Sequence, residues 1–388
     1  MPVKTEYSAA LMALLRSALW NDPLTDEERG WITAETLPKI ASLAKMHDMD
    51  HLLPVALRNH DLLPETVPQL EKSMFLAVFR CQRQEEALAR VCHALEEGGI
   101  PFLPLKGAIL RKAYPESWMR TSCDIDILVR PEDLARAAKL LESCCGCIPG
   151  GSTPHDISFQ MPNKTQLELH HSLMGADELP QTACVLETVW NRAILCPGKR
   201  FHYVMPDDLF YFYHLAHMAK HMVIGGCGIR PFLDLWLLER QEGADREKRD
   251  LLLEQGGLLT FARVARRLAE GWFGKAPMDS VTLQLESFLF RGGVYGTTQT
   301  RVAVQRQKQG GWLPYLLSRI FLPMPKLKIQ FPILHRYPWL MPVMQVCRWC
   351  KRLLGGYGRK AALELTHSHR ISEKSEENIR DMLENIGL

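Results

Sequence analysis

The stretch Cys123-Asp-Ile-Asp-Ile-Leu-Val129 alternates acidic and apolar residues and then becomes wholly apolar. Successive side chains on a strand point to opposite faces, so the pattern predicts a strand with one acidic face and one buried face. Asp124 and Asp126 then stand roughly 7 Å apart at their β-carbons. Carboxylates this close repel each other unless a cation lies between them. Magnesium is the natural cation, because it prefers oxygen ligands and commonly takes carboxylates together with phosphates.

Short elements of both kinds surround this strand. Apolar runs and alternating patterns predict strands, and i, i+3, i+4 spacing predicts helices. The predicted elements, in chain order, are a strand at residues 100–105, a helix at 108–114, a helix at 134–143, and strands at 155–161 and 165–170. Lys106-Gly107 forms the turn after the first strand. Together they predict a compact α/β unit over residues 100–175.

The last predicted strand carries polar side chains on one face. Gln166, Glu168 and His170 share that face because they are two residues apart, and two leucines share the other. An isolated Asp-x-Asp is more often a pair of solvated acids on a strand edge. Here a second polar strand face follows the pair within one unit. Glu168 is therefore the candidate third carboxylate, and His170 is a candidate for the lining of the same cleft.

The regions on either side of the unit are predicted to be helical. The prediction includes one continuous helix over residues 251–270 and a polar helix near residues 372–386, with irregular chain in the rest of the last hundred residues. The predicted organisation is a helical N-terminal region at 1–99, the α/β core at 100–175, a helical domain at 176–290 and a basic, aromatic-rich C-terminal region at 291–388.

Composition and the chain start bound the protein class. With 46% hydrophobic and 23% charged residues, the chain of 388 residues reads as a globular protein of two or three domains. Its first residues lack the pattern of a secretory signal, and no apolar run reaches the length of a membrane span. We therefore expect a cytoplasmic protein. The odd number of cysteines, 11, agrees with that expectation. Cys347-x-x-Cys350 alone is a weak zinc signal that competes with ordinary thiols.

Three histidines follow one another on a predicted helix. His214, His217 and His221 lie at i, i+3 and i+7, so one helix face carries all three. A metal site, contact with a nucleotide or substrate, and simple packing remain alternatives. No glutamate follows His214 in the manner of an HExxH zinc motif.

With these motifs, the chain resembles a nucleotidyltransferase family of the polymerase-β-like superfamily. The resemblance covers roughly residues 100–240, and its fold class is α+β with a mixed-sheet core and helical N-terminal and C-terminal regions. The stretches that carry it are Leu105-Lys-Gly-Ala-Ile-Leu-Arg-Lys-Ala-Tyr-Pro115, Arg120-Thr-Ser-Cys-Asp-Ile-Asp-Ile-Leu-Val-Arg-Pro-Glu-Asp-Leu134, Leu167-Glu-Leu-His170, His214-Leu-Ala-His217 and Asp234-Leu-Trp236. The wider superfamily places Gly-Ser before the carboxylate pair, whereas here Lys106-Gly107 occupies that place without a following serine.

The resemblance implies a role for each candidate residue. Asp124, Asp126 and Glu168 would be the catalytic and metal-binding carboxylates. Lys106, Gly107 and Arg120 would bind the nucleotide, the glycine by allowing close backbone approach and the cations by offsetting phosphate charge. His170, His214 and His217 are the further candidates for the cleft. The implied cofactor is Mg²⁺, with Mn²⁺ as its alternative, and the implied nucleotide is a nucleoside triphosphate such as ATP.

Two functions from different classes follow from that pattern. The first is transfer of a nucleoside monophosphate from the triphosphate to a hydroxyl acceptor, with release of pyrophosphate. The acceptor is a small molecule, a peptide, a protein or an RNA, and the sequence does not choose among them. The second is a non-catalytic module that binds nucleotide or RNA on the same fold. Three acids crowded against phosphates favour the enzyme, because a pure binder has no need of them.

The C-terminal third has an uneven charge. Residues 287–363 contain no Asp or Glu and 13 Lys or Arg, although the whole chain has a net charge of only +3. Aromatic residues are interleaved with these cations. Such a segment suits RNA, where cations meet phosphates and rings stack on bases, or an anionic membrane surface. The alternative is that its aromatic residues pack against the helical domain and its charges face water.

Overall fold

The computed structural model describes residues 6–175, 178–294, 296, 301, 302, 304, 306, 312–354 and 373–388. Its strands are β1 (Phe102–Pro104), β2 (Asp124–Val129), β3 (Ile148–Ser152), β4 (Asp156–Gln160), β5 (Gln166–His170), β6 (Ile194–Leu195) and β7 (Tyr203–Val204). Its helices are α1 (Glu6–Trp20), α2 (Asp26–Gly30), α3 (Leu37–Met46), α4 (Leu53–Asn59), α5 (Val67–Glu97), α6 (Lys106–Leu110), α7 (Leu134–Cys145), α8 (Pro180–Glu187), α9 (Val189–Arg192), α10 (Asp207–Met222), α11 (Arg230–Glu239), α12 (Arg246–Gln255), α13 (Leu259–Phe273), α14 (Ser280–Gly292), α15 (Trp312–Ile320), α16 (Met324–Gln330), α17 (Met341–Leu354) and α18 (Glu373–Asn385).

The sheet that carries the predicted acids has five strands in the order β1-β2-β5-β4-β3. β2 and β5 are parallel neighbours, and the other neighbouring pairs are antiparallel. The predicted fold class, an α+β mixed-sheet core with helical flanks, is confirmed. No helix among the described residues has both the length and the apolar character needed to cross a bilayer.

Alternation along β2 and β5 sorts their side chains to two faces. Ile125 and Ile127 of β2, with Leu167 and Leu169 of β5, enter an apolar cluster with α5 and α7 and are at most 4% exposed. The polar residues of the same strands face the opposite way. This second face lies toward α10 and α11.

A second apolar cluster joins the two helical regions. It contains buried residues of α1, α3 and α4 together with those of α10, α11 and α13. The N-terminal helices and the helical domain therefore pack into one apolar core, which adjoins the polar side of the sheet through Leu128 of β2.

Several elements differ from the sequence prediction. The predicted helix at 251–270 is two helices, α12 and α13, because Gly257 between them has a φ of +73° that ends the first. The supposedly irregular C-terminal chain contains the helices α15, α16 and α17. The edge strand β3 was not predicted, since its residues Ile148-Pro-Gly-Gly-Ser152 are all exposed and show no alternation.

A buried ion pair joins the sheet region to α11. The Nε and Nη2 atoms of Arg120 donate to the two carboxylate oxygens of Asp234 at 2.8 and 2.9 Å. Tyr114 Oη donates to the same carboxylate at 2.8 Å. Asp234 is 1% exposed and Arg120 6%. Burial opposes the charge on Asp234, but the adjacent guanidinium lowers the pKa of Asp234 overall.

We predict that Asp234→Asn lowers the free energy of unfolding by about 3–5 kcal/mol, because it leaves the buried charge of Arg120 without its counterion. Urea denaturation measures this. The matched control is Asp133→Asn, whose partner Arg136 lies 3.4 Å away with a side chain 57% exposed. That control is expected to cost less than about 1 kcal/mol. Equal losses of unfolding free energy in the two variants would show that the Asp234 pair stabilises the fold no more than an exposed pair does.

Candidate active site

Polar side chains of β2 and β5 meet on the open face of the sheet. The parallel register sets Asp126 opposite Glu168, and Asp124 lies two residues before Asp126 on the same face. Ligand atoms of Asp126, Glu168 and His170 all lie within 4.8 Å of one another. In the described part of the chain, no other group of three or more His, Cys, Asp or Glu side chains is spaced this closely.

His170 lies between two carboxylates. Its Nε2 atom is 3.1 Å from Asp126 Oδ1 and 3.5 Å from Glu168 Oε2. Burial disfavours the imidazolium, but the hydrogen bonds to these carboxylates raise the pKa of His170 to about 9. Burial likewise opposes the charge on Asp126, yet the bond from His170 and the charge of Lys106 lower the pKa of Asp126. At neutral pH Asp126 is therefore ionised, and His170 donates to it as an imidazolium.

Asp124 is in a different electrostatic position. Burial first, and then the charges of Asp126 and Glu168, raise the pKa of Asp124 to about 6. Its carboxylate therefore ionises against both desolvation and repulsion. A cation beside it would favour the ionised form, which is the electrostatic condition for a metal site.

These side chains line a cleft of about 360 Å³ between the sheet and the helices α10 and α11. The site residues predicted from the sequence all border this one cleft: Lys106, Gly107, Arg120, Asp124, Asp126, Glu168, His170, His214 and His217. The structure thus brings together residues that are more than 100 positions apart. Their chemical roles stay predictions.

Lys106 and Gly107 lie where β1 passes into α6, beside the acids. The pKa of Lys106 is lowered by burial, which the charges of Asp126 and Asp124 only partly oppose. Its Nζ atom lies 5.8 Å from the ring centre of Tyr213 on the opposite wall. A β-carbon at Gly107 would lie 3.5 Å from Ser122 Oγ. Ser122, two residues before Asp124, therefore lies beside Gly107, where its hydroxyl accepts from Arg111 Nη2 at 3.2 Å and donates to Gln84 Oε1 at 3.1 Å.

Arg120 has less freedom than a surface cation. Two of its nitrogens donate to Asp234, as described above, so these two donors stabilise the fold and are not available to a ligand. The third, Nη1, is buried and has no hydrogen-bond partner among the described residues. It would lie 3.6 Å from a β-carbon at Gly107. Arg120 therefore retains one donor on the cleft side, together with a charge that the carboxylate of Asp234 largely offsets.

The histidines of α10 form the opposite wall. His214 Nε2 lies 2.9 Å from the carbonyl oxygen of Pro231, so this side chain links α10 to α11. His217 Nε2 and His221 Nε2 lie 3.1 Å apart. Burial, followed by the charge of Lys106, lowers the pKa of His217 well below its usual value and that of His221 to about 4. Both are neutral at physiological pH, and neither belongs to a group of three ligands in the described chain.

The family described as uncharacterised nucleotidyltransferase matches residues 33–274. The chain belongs to this family. The resemblance inferred from the sequence is therefore confirmed. No curated protein and no solved structure matches the chain.

Several residues that border this cleft were not predicted from the sequence. Ser122, Tyr213, Lys220 and Arg230 also border the cleft. Ser122 was detectable, because it precedes Asp124 by two residues and so shares its side of an extended chain. Arg230 was not, since its partners Asp48 and Thr121 lie 182 and 109 residues away.

We predict that Asp124→Asn stabilises the metal-free protein at high pH. The folded-state pKa of about 6 exceeds the ordinary aspartate value of about 3.9, so the contribution of Asp124 to wild-type stability falls as the pH rises from about 4 to 6. The variant does not lose this stability, because asparagine has no carboxyl group to ionise. In EDTA, its free energy of unfolding should exceed that of the wild type by about 1–3 kcal/mol at pH near 8, with the difference vanishing near pH 4.

Denaturant titration at the two pH values measures the effect. The exposed Asp61, in the turn after α4, supplies the control variant Asp61→Asn, which should change stability equally at both. Destabilisation by Asp124→Asn at both pH values would mean that favourable contacts, and not repulsion, dominate at Asp124.

Proposed function

We propose that this protein transfers a nucleoside monophosphate from a nucleoside triphosphate to a hydroxyl acceptor, with Mg²⁺ as its cofactor and Mn²⁺ as an alternative. The observation that carries the proposal is the group of Asp126, Glu168 and His170, whose polar side-chain atoms lie within 4.8 Å of one another. Asp124 lies outside this group but borders the same cleft. Membership of a nucleotidyltransferase family supports the reaction class.

The donor set fits a hard divalent cation. Asp124, Asp126 and Glu168 offer carboxylate oxygens, which Mg²⁺ prefers. The raised pKa of Asp124, caused by burial and by the neighbouring acids, marks an excess of negative charge that a cation would relieve. His170 suits a supporting role, because it already orients Asp126 through a hydrogen bond. When bound, the metal would stabilise charge on the attacking and leaving oxygens of the phosphoryl transfer.

The remaining groups would handle the phosphates and the acceptor. Lys106 and Arg230 are cleft cations that can offset triphosphate charge, and Gly107 allows close backbone approach. In the reaction, a bond forms between the acceptor oxygen and the α-phosphorus while the bond to the β-phosphate oxygen breaks. Pyrophosphate leaves, and the hydroxyl proton passes to Glu168. Glu168 has a side chain 37% exposed, so an acceptor can reach it.

The direct test is incubation of the protein with Mg²⁺, each α-labelled nucleoside triphosphate in turn, and a cell extract. The fraction that acquires label identifies the acceptor as a small molecule, peptide, protein or RNA. Pyrophosphate release measured in parallel separates transfer from mere binding. Triphosphate binding without either signal in any extract would favour the non-catalytic module.

We predict that Asp126→Asn lowers the rate of pyrophosphate release by roughly a thousandfold, because several kcal/mol of metal-based charge stabilisation are lost. Asp124→Asn should have a comparable effect. The exposed Asp61→Asn serves again as the matched control and should keep full activity. Retention of full activity by both cleft variants would refute the site.

We predict a different profile for Glu168→Gln. Transfer should be lost, whereas the affinity for triphosphate and Mg²⁺ should change by less than about threefold, since Asp124 and Asp126 still hold the metal on the phosphates and the glutamine keeps a side-chain oxygen as a ligand. Isothermal titration gives the affinity and pyrophosphate release gives the rate. Glu132→Gln, at an exposed position before α7, is the control. Unaltered turnover in Glu168→Gln would show that a group other than Glu168 accepts the proton.

A further inference from the structure

The described segment 312–354 is basic throughout. It contains seven Lys or Arg residues and no Asp or Glu, and it lies inside the longer acid-free stretch 287–363. Lys308, Arg359 and Lys360 of that stretch fall outside the described residues, as does Tyr357. The cationic side chains Arg336 and Lys351 are exposed. Nothing acidic within the segment can neutralise them, so its surface carries a positive potential.

Part of the segment is accounted for by internal packing. Trp349 Nε1 donates to the carbonyl oxygen of Ile320 at 2.9 Å, and Arg348 donates to the same oxygen. Gln345 Nε2 donates to Leu322 O at 2.6 Å. These bonds hold α17 against the end of α15. Tyr315, Leu327 and Leu334, at most 2% exposed, form the segment's own buried residues.

Internal packing leaves other apolar side chains of the same helices exposed. Leu317 and Ile320 lie at i and i+3 on α15 and are exposed. Phe321, just after α15, contacts the Trp349 ring at a centroid distance of 5.7 Å but remains 52% exposed. On α17, the stripe Val343, Val346, Cys347, Cys350 and Lys351 is exposed at i, i+3, i+4, i+7 and i+8. Trp339, just before α17, is 73% exposed. Exposed apolar residues clustered beside cations mark an interaction surface.

We propose that residues 312–354 dock the protein on an anionic lipid bilayer, with Trp339, Phe321 and the outward valines of α17 entering the headgroup boundary. Basic residues meet anionic headgroups, and tryptophan and aliphatic side chains meet the acyl boundary. Single-stranded RNA fits less well, because leucine, isoleucine and valine offer bases no stacking surface. A second copy fits less well too, since it would set two acid-free, positively charged surfaces against each other.

The test is flotation of the full-length protein with vesicles of phosphatidylcholine containing about 30% phosphatidylserine, compared with pure phosphatidylcholine. Binding is expected only to the anionic vesicles, and it should fall when salt rises from about 0.1 to 0.5 M. Arg336→Gln with Lys351→Gln should weaken partition about 25-fold, since each cation near the surface contributes about fivefold. Trp339→Ser with Val343→Ser should weaken it about tenfold or more.

The matched control removes an equal number of exposed apolar side chains elsewhere. Phe75→Ser with Leu76→Ser on α5, at 59% and 51% exposure, should leave vesicle binding unchanged. A loss in this control as large as that in Trp339→Ser with Val343→Ser would refute the assignment to residues 312–354. Absent flotation, or equal flotation with neutral vesicles, overturns the proposal.

Two further measurements decide between other occupants. Oligouridylate binding that depends on Arg336 and Lys351, without vesicle binding, would assign the surface to RNA. A concentration-dependent dimer in sedimentation that Trp339→Ser abolishes, again without vesicle binding, would assign it to a second copy. Either result overturns the membrane proposal. Neither affects the nucleotidyl-transfer assay, because that assay measures only the activity of the cleft.

Discussion

The buried pair of Arg120 and Asp234 determines where the cleft lies. Arg120 precedes β2 by four residues, and Asp234 is inside α11, so their bond spans 114 positions of chain. Both charges are almost completely removed from water, and such a pair tolerates neither separation nor the loss of one partner. It therefore sets the distance between the acidic face of the sheet and the helices that oppose it. Tyr114 adds a third contact to the same carboxylate and ties in the turn after α6.

That constraint explains why the opposite wall is built from α10 and α11. His214 of α10 contacts the Pro231 carbonyl, and Arg230, at the start of α11, contacts Asp48 and Thr121. Arg230 and Pro231 lie within about one helical turn of Asp234, so the ion pair of Asp234 also fixes their positions. The wall therefore places neutral imidazoles, together with Lys220 and Arg230, on the side of the cleft opposite the carboxylates of β2 and β5. Lys106 lies on the carboxylate side, beside Asp124 and Asp126, so cationic side chains border the cleft on both sides.

Sequence patterns predicted the parts of this arrangement that are local. Alternation placed Asp124, Asp126, Glu168 and His170 on strand faces, and β2, β4 and β5 formed within a residue or two of the predicted bounds. Arg120 shows why the rest was out of reach. The family resemblance implied that Arg120 binds phosphate, but its main partner is a carboxylate more than a hundred residues away. The break at Gly257 between α12 and α13 depends likewise on a backbone conformation that apolar spacing does not encode.

The two faces of β2 and β5 make the crowding of acids tolerable. Ionised carboxylates on one face oppose folding, but the residues between them, Ile125, Ile127 and Leu167, are almost fully buried against α5 and α7. The side-chain period of a strand is two, so a slip of one residue would send Asp124 and Asp126 into that apolar cluster and the isoleucines into the cleft. The cost of such a slip specifies the register strongly. The same apolar contacts that fix the register thus hold the carboxylates together against their own repulsion.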